Sequence, residues 1–411
     1  MTDTRTSAAA RPDLDPADIF TKAYEYEQVN DMRGAGLFPY FRPLDGQRGN
    51  EVKVDGKSML MACSNDYLGL SQDPRVKQAG IPALEEFGTS CTGSRFLNGT
   101  LALHESLERD LAKFLNHESA LTFSTGFLGS LGVLSALVGR RDLMYFDREN
   151  HASLHDGARL SWGKLCKFRH GDLDHLEFML KRDADKHVGK LIVTDGVFSM
   201  SGEVADLPGI IPLARKYGAR ILVDDAHATG VMGPSGRGTA EHFGVEDEID
   251  LVIGTFSKAF ASLGGFLAGP AEVVDWVKYQ ARPFIFTAAL PPAQVASTRE
   301  SLRILSSEPE FRERLWKRVV MFREGLSSLG FDTMNSEGPI VPVFIGELDK
   351  ALSFWKQVWE RNIFALPAVP PAVPPGECLI RMAVNASHTR EEMDRVLAAF
   401  AEVGRATRMI P

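Results

Sequence analysis

The sequence is short of sulfur, of long apolar runs and of positive charge. Its four cysteines, Cys63, Cys91, Cys166 and Cys378, stand far apart and form no CxxC pair, which argues against a disulfide framework or a zinc-type site. No stretch reaches the roughly 20 apolar residues that a membrane-spanning helix needs. The opening MTDTRTSAAARPDLDPADIF is polar and lacks the apolar segment of a secretory signal. Lys and Arg number 46 against 54 Asp and Glu, a formal net charge of -8, so no basic field exists to displace counterions from nucleic-acid phosphates. The expectation is a soluble cytoplasmic chain with no metal and no nucleic-acid partner; peripheral membrane contact stays open.

What is present is apolar material on a large scale: 411 residues, of which 44% are hydrophobic, enough for a large core and one smaller accessory domain. Residues 1–57 read as an N-terminal tail and arm, with a helical pattern from Ile19 to Val29 and the irregular GLFPYFRP after it. From 58 to 290, short β-rich runs (ALTFS, LMYFD, KLIVTD, RILVDD, DLVIGT) alternate with helical stretches. That alternation predicts an α/β domain around a mostly parallel sheet. From 291 to 411 amphipathic helices such as FRERLWKRVVMFREGLSSLG dominate, with the short strands IVPVFIG and CLIRMAV between them, a smaller C-terminal α+β domain. A last helix starts near Arg390 with Thr389 as its N-cap. The segment PAVPPAVPPG is too proline-rich for a helix or a central strand; a connector and an active-site lid are equally good readings of it.

The chemistry gathers at strand ends. RILVDD ends in Asp224 and Asp225, with His227 just beyond in DDAHATG, and ligands of open parallel sheets sit beyond the carboxyl ends of the strands. Two adjacent acids alone would read as a solvated strand terminus. The next strand, DLVIGT, however, runs into Phe256, Ser257 and Lys258, one βαβ unit later, so a lysine and an acid can converge on one ligand. An isolated lysine is nearly always a solvated surface charge; one placed between an apolar strand and SLGG is not ordinary. Pyridoxal phosphate asks for an amine, a carboxylate for its pyridine nitrogen and donors for its phosphate. Asp224 is the carboxylate candidate. Donors occur at Ser124, Thr125, Gly126 and Phe127, where ALTFS turns into FLGSLGVLSALVG and a helix N-terminus offers free N–H groups. An ordinary Ser-Thr cap would look the same in isolation. Thr255 and Ser257 add hydroxyls beside the lysine. His151, in ENHASLHDG after LMYFD, stands at another strand end, where an imidazole can stack on a cofactor ring; His155 nearby is a reminder that a loop histidine is more often structural.

Taken together, GTFSKAFASLGG, VDDAHATG, ENHASLHDG, VTDGVFSM, CSNDYLGL and GSRFLNGT resemble the α-oxoamine synthases, fold-type-I pyridoxal-phosphate enzymes. The resemblance runs from about residue 20 to the C-terminus. Within the family the segments GLFPYFRP, SNDYLGL and TFSKAFASLGGF are most similar to the bacterial serine palmitoyltransferases. It implies Lys258 as the Schiff-base lysine, Asp224 on the pyridine nitrogen, His227 on the ring phenolic oxygen and His151 on the ring face. It further implies Ser199 near the cofactor and Asn65 facing the substrate carboxylate. Ser94 and Thr287 are similar to residues that reach the site from the partner subunit of a homodimer with shared active sites. One position departs from the pattern: Val369 stands where some of these enzymes carry a mobile arginine in the proline-rich loop. Arg381, in CLIRMAV, is retained, and the resemblance implies it as the expected carboxylate anchor, a role that suits a guanidinium's bidentate fork.

The activity so implied is a decarboxylating condensation of L-serine with a long-chain acyl thioester, carried by coenzyme A or an acyl carrier protein, to 3-oxosphinganine. The same machinery would serve an 8-amino-7-oxononanoate synthase or a glycine C-acetyltransferase. A partner subunit without catalysis is a further reading, against which the intact TFSK stands.

Overall fold

Strands buried on both faces read as continuous apolar runs, and the middle of this chain is built of them. The computed structural model describes residues 15–411, in two units, Met1–Arg42 and Pro43–Pro411. In the first, the expected single helix is two: Thr21–Tyr24 and Gln28–Gly34. Ile19, Phe20, Tyr24 and Tyr26 are all exposed. With no apolar face buried, little holds a helix together across the join, because helix stability in proteins comes mostly from packing.

The second unit opens with an antiparallel meander of β1 (Gly46–Arg48), β2 (Glu51–Val54) and β3 (Lys57–Met61). The central sheet follows: β4 (Ser119–Phe123), β5 (Leu143–Asp147), β6 (Lys164–Phe168), β7 (Lys190–Asp195), β8 (Arg220–Asp224), β9 (Leu251–Thr255) and β10 (Gly265–Gly269). Their order is β4-β10-β9-β8-β7-β5-β6. All neighbours pair in parallel except β10, which is antiparallel to both β4 and β9. The five strands expected from the sequence are all in it. β6 and β10 were not anticipated. β10, GFLAG, is glycine-rich enough to read as a turn, yet each of its residues is buried.

The carboxyl ends of β4, β5, β7, β8 and β9 lie along one edge of this sheet, because β4 runs with the parallel strands. Helices between the strands close its faces: Gly126–Leu137 lies on the core made by Phe123, Val133, Leu134, Phe146, Leu222 and Leu267. Burying a side chain such as Leu222, which is fully covered, contributes about 1.5–3 kcal/mol.

The C-terminal part carries β11 (Ile340–Gly346), β12 (Ile363–Phe364), β13 (Leu366–Ala368) and β14 (Cys378–Ala383). β12 pairs in parallel with β3 and joins the N-terminal meander, while β11-β14-β13 is a separate antiparallel sheet. Helices Glu310–Leu329, Leu348–Glu360 and Arg390–Ala406 accompany it, and Phe331, Phe354 and Phe400 meet edge to face between them. The last helix starts as the sequence predicts. Thr389 accepts from the Glu392 N–H while the Glu392 carboxylate accepts from that of Thr389, a capping box. The proline-rich segment begins as an edge strand, Pro367 facing Ile380 and Leu366 facing Arg381, and Val369 and Val373 are buried beyond it.

Candidate active site

A cavity of about 260 Å³ lies against the carboxyl edge of the central sheet. Its wall includes Thr125, Gly126, Phe127, Ser130, His151, Ser153, Asp195, Asp224, His227, Thr255, Ser257 and Lys258. Residues from five different strand ends therefore meet in one place, as the sequence reading required of Asp224, Lys258, His151 and the segment around Gly126.

Each wall has a local cause. The helix Gly126–Leu137 is capped by Thr125, whose hydroxyl accepts from the Leu128 N–H at 3.1 Å, so the N–H groups of Gly126 and Phe127 are left without intrahelical acceptors. The helix can start so close to the sheet only because of glycine. A Cβ on Gly126 would lie 2.9 Å from the Thr255 Cβ, and one on Gly265 would lie 2.5 Å from the Gly126 Cα. Opposite, the Thr255 and Ser257 hydroxyls are 2.8 Å apart, and Thr255 also donates to the Gly264 carbonyl at 2.9 Å. Two main-chain donors and two hydroxyls thus flank one small volume.

His151 is the N-cap of the helix Ala152–Leu160. Its Nδ1 lies 2.8 Å from the Ser153 hydroxyl and accepts from the Ser153 N–H at 3.3 Å, which assigns the proton of the neutral ring to Nε2. Its own N–H donates to Asp195 at 3.1 Å. Burial lowers the His151 pKa, against the attraction of Asp224.

Asp195 and Asp224 are register neighbours at the ends of β7 and β8, and both are buried. Burial raises both carboxyl pKa values; Asp224 raises that of Asp195 further, while Lys258 pulls in the other direction on each. Lys258 is itself brought down to about 8, chiefly by burial, with Asp224 opposing the shift. Asp225 has another task. It accepts from the Thr239 hydroxyl at 2.6 Å and the Thr239 N–H at 2.8 Å, and a Cβ on Gly196 or Gly238 would run into its carboxylate. It ties the turns below the cavity together.

His227 is buried, and burial, with Lys258 adding to it, pushes its pKa well below the usual value. The Tyr67 hydroxyl lies 2.6 Å from its Nδ1. Tyr67 is pushed up to about 12, mainly by burial, so the phenol keeps its proton, and the same hydroxyl also lies 3.3 Å from the Asn65 side-chain oxygen as a donor.

Asn65, Ser199 and Arg381 come together behind that pair and are not in the cavity wall. Arg381 donates to the Asn65 side-chain oxygen at 3.1 Å and to the Ser199 carbonyl at 2.6 Å. Ser94 and Thr287 are not in the cavity wall. Ser94 bridges to Ala288 and Ala289 donates to the Gly93 carbonyl at 2.9 Å, while the Ser94 hydroxyl oxygen is buried with no hydrogen-bond partner among the described residues. The sequence reading did not single out Tyr67 or Asp195. Asp195 carried a usable signal, since KLIVTD ends in an acid at the same edge as RILVDD; Tyr67 carried none, because its partner is far away in the chain. Among the described residues no group of acidic, histidine or cysteine side chains could hold a metal ion.

The family model of the class I and II aminotransferases matches residues 57–400. A serine palmitoyltransferase of Bacteriovorax stolpii is 45% identical over 98% of this chain and 94% of its own length. One from Sphingobacterium spiritivorum is 46% identical over 91% and 94%. An 8-amino-7-oxononanoate synthase of Thermoanaerobacter pseudethanolicus is 44% identical over 93% and 97%. Among solved structures, a variant serine palmitoyltransferase from S. paucimobilis with a bound PLP-myriocin aldimine superposes with a TM-score of 0.93, at 35% identity, over 96% of this chain and all of that one.

Proposed function

Because this chain belongs to the family of class I and II aminotransferases, we propose that it is a fold-type-I pyridoxal-phosphate acyltransferase that condenses L-serine with palmitoyl-CoA. Carbon dioxide and the free thiol are released and 3-oxosphinganine is the product, the first step of sphingolipid synthesis. The observation that carries the reading is the convergence of Lys258, Asp224, His151 and the Gly126 helix terminus on one cavity, in a chain similar over nearly its whole length to serine palmitoyltransferases.

The residues fit the cofactor: an amine, a carboxylate, and a cradle of N–H groups and hydroxyls too narrow for a Cβ at position 126. When bound, pyridoxal phosphate supplies an aldehyde for amines and a ring that accepts the electron pair left at an amino acid's α-carbon. Lys258 Nζ holds it. The Lys258 amine, brought down to about 8 chiefly by burial, would take up and return the proton at the serine α-carbon. Asp224 would balance a positive ring nitrogen, and His227 would face the phenolic oxygen. His151 covers the ring face and orients the serine carboxylate. Gly126, Phe127, Thr255 and Ser257 receive the phosphate, and Arg381 and Asn65 receive the carboxylate, with the Ser199 carbonyl steadying the arginine.

Ser94 and Thr287 are read as serving the site of a second copy, in a homodimer, by similarity to the family's shared active sites. Residues 58–290 are read as the cofactor domain and 291–411 as the smaller domain, preceded by a tail and arm. Among the described residues no helix is long and apolar enough to cross a membrane, which supports a cytoplasmic enzyme. The similarity to an 8-amino-7-oxononanoate synthase favours a second reading, alanine with a pimeloyl thioester, on the same machinery. The test of the reading is the visible absorbance of the purified protein with pyridoxal phosphate. It should show a lysine-bound band that serine shifts and that Lys258→Ala lacks; a protein that never acquires the band is not this enzyme.

A further inference from the structure

Outside the cavity, His170 is a half-buried histidine bonded to acids on both sides. It lies just after β6, and each of its ring nitrogens faces a carboxylate: Nδ1 is 2.9 Å from Asp147 at the end of β5, and Nε2 is 2.6 Å from Glu203. A neutral imidazole has one donor, so both contacts are hydrogen bonds only if the ring is an imidazolium. Burial opposes that charge, but the bonds to Asp147 and Glu203 outweigh it and push the pKa up to about 10. Both carboxylates are fixed in turn. Asp147 is buried and accepts from the N–H groups of Glu149 and Gly171 at 2.9 Å each; Glu203 accepts from the Asn335 amide at 3.1 Å.

Glu203 belongs to a tight hairpin. Val197 bridges to Val204, the Phe198 N–H donates to the Glu203 carbonyl at 2.9 Å, and the Gly202 N–H donates to the Phe198 carbonyl at 2.9 Å. The His170 ring also meets Phe198 edge to face, at 4.4 Å between centroids. The residue after Phe198 is Ser199, whose carbonyl accepts from Arg381 at 2.6 Å. At its tip the hairpin touches the C-terminal part, where the Gly202 carbonyl accepts from the Glu337 and Gly338 N–H groups at 3.1 and 2.8 Å.

From this chain of contacts we infer that His170, clamped between Asp147 and Glu203, is a positioning residue for the amino-acid substrate: it fixes the Val197–Val204 hairpin so that the Ser199 carbonyl holds Arg381 in place for the substrate carboxylate. The inference rests on the reading of Arg381 as the carboxylate anchor. Charge-assisted bonds of this kind contribute about 1.5–3 kcal/mol each, and a freed hairpin lets the guanidinium turn away. The loss falls on amino-acid binding and leaves the acyl thioester alone.

The test is a spectral titration of the holoenzyme with L-serine, together with the KM for palmitoyl-CoA, in four variants. Arg381→Gln asks whether the arginine binds the carboxylate at all. His170→Phe keeps the ring against Phe198 and removes both bonds, Glu203→Gln keeps the shape and removes one charge, and His170→Arg restores a cation between the two acids. The expected result is a serine Kd raised about tenfold in His170→Phe, equivalent to about 1.4 kcal/mol, severalfold in Glu203→Gln, and largely recovered in His170→Arg. The palmitoyl-CoA KM should move less than twofold. A strong effect of Arg381→Gln with native serine affinity in both His170→Phe and Glu203→Gln overturns the inference alone. A native serine affinity in Arg381→Gln removes the reading beneath it.

Discussion

The hydroxyl of Tyr67 lies 2.6 Å from Nδ1 of His227, with both side chains buried. Because the phenol is pushed up to about 12 by burial, it keeps its proton at any physiological pH and bridges His227 to the Asn65 oxygen, 3.3 Å away. Removing the hydroxyl in Tyr67→Phe leaves Nδ1 without that partner, and the imidazole is held less firmly. A five- to twentyfold loss of kcat is expected, about 1–2 kcal/mol, with little change in cofactor content. Steady-state kinetics beside the absorbance of bound cofactor will measure it. Unchanged kcat would mean that the Tyr67 bond to His227 does not matter to turnover.

Lys258 titrates near 8 rather than at its ordinary value, chiefly through burial. Only the neutral amine attacks an aldehyde, so cofactor loading of the apoprotein should speed up as pH rises through about 8 and level off above it. The observable is the rate of growth of the lysine-bound absorbance after mixing with pyridoxal phosphate, from pH 6.5 to 9.5. A rate still climbing in proportion to hydroxide at the top of that range would show an ordinary lysine. Lys258→Ala should keep the native circular-dichroism spectrum and lose turnover altogether.

Asp224 has its carboxyl raised by burial, with Lys258 favouring the ionised form. An amide at this position cannot balance a positive ring nitrogen, so Asp224→Asn should keep some cofactor and lose at least about a hundredfold in kcat, or roughly 2.7 kcal/mol. Exchange of the serine α-proton with deuterium, followed by NMR, isolates the step. Native exchange rates in the variant would remove Asp224 from the ring nitrogen.

Much of this was legible in the sequence because strands that end in acids, hydroxyls or lysine announce which edge of a parallel sheet carries the ligand. The five strand ends at Phe123, Asp147, Asp195, Asp224 and Thr255 are the backbone of the site. What was not legible depends on contacts between distant segments. The Tyr67 bond to His227, the Asn65 and Ser199 contacts of Arg381 and the clamp on His170 each join residues far apart in sequence. β10 escaped notice for a local reason, since Gly265 and Gly269 mimic a turn while serving close approach of Gly126 and Leu251. The helical pattern from Ile19 to Val29 forms as two short helices, Thr21–Tyr24 and Gln28–Gly34, with Ile19, Phe20, Tyr24 and Tyr26 exposed.

Ser94 and Thr287 are not in the wall of their own chain's cavity, and the shared-site proposal is testable by complementation. Co-expression of Lys258→Ala with Thr287→Trp, each inactive alone, should recover about a quarter of the native activity, because half of the dimers are hybrids with one intact site. No recovery would place Thr287 in the service of its own subunit.

The central claim is the pairing of serine with a long acyl chain, and thiol release tests it most directly. Serine, alanine and glycine are each combined with acetyl, succinyl, pimeloyl and palmitoyl thioesters, and the products are identified by mass. Each methylene bound out of water is worth about 0.8 kcal/mol, so a site built for palmitoyl should favour it over acetyl by orders of magnitude. The account predicts the highest kcat/KM for serine with palmitoyl-CoA and 3-oxosphinganine as the product. A clear preference for alanine or glycine with a short acyl group would contradict it.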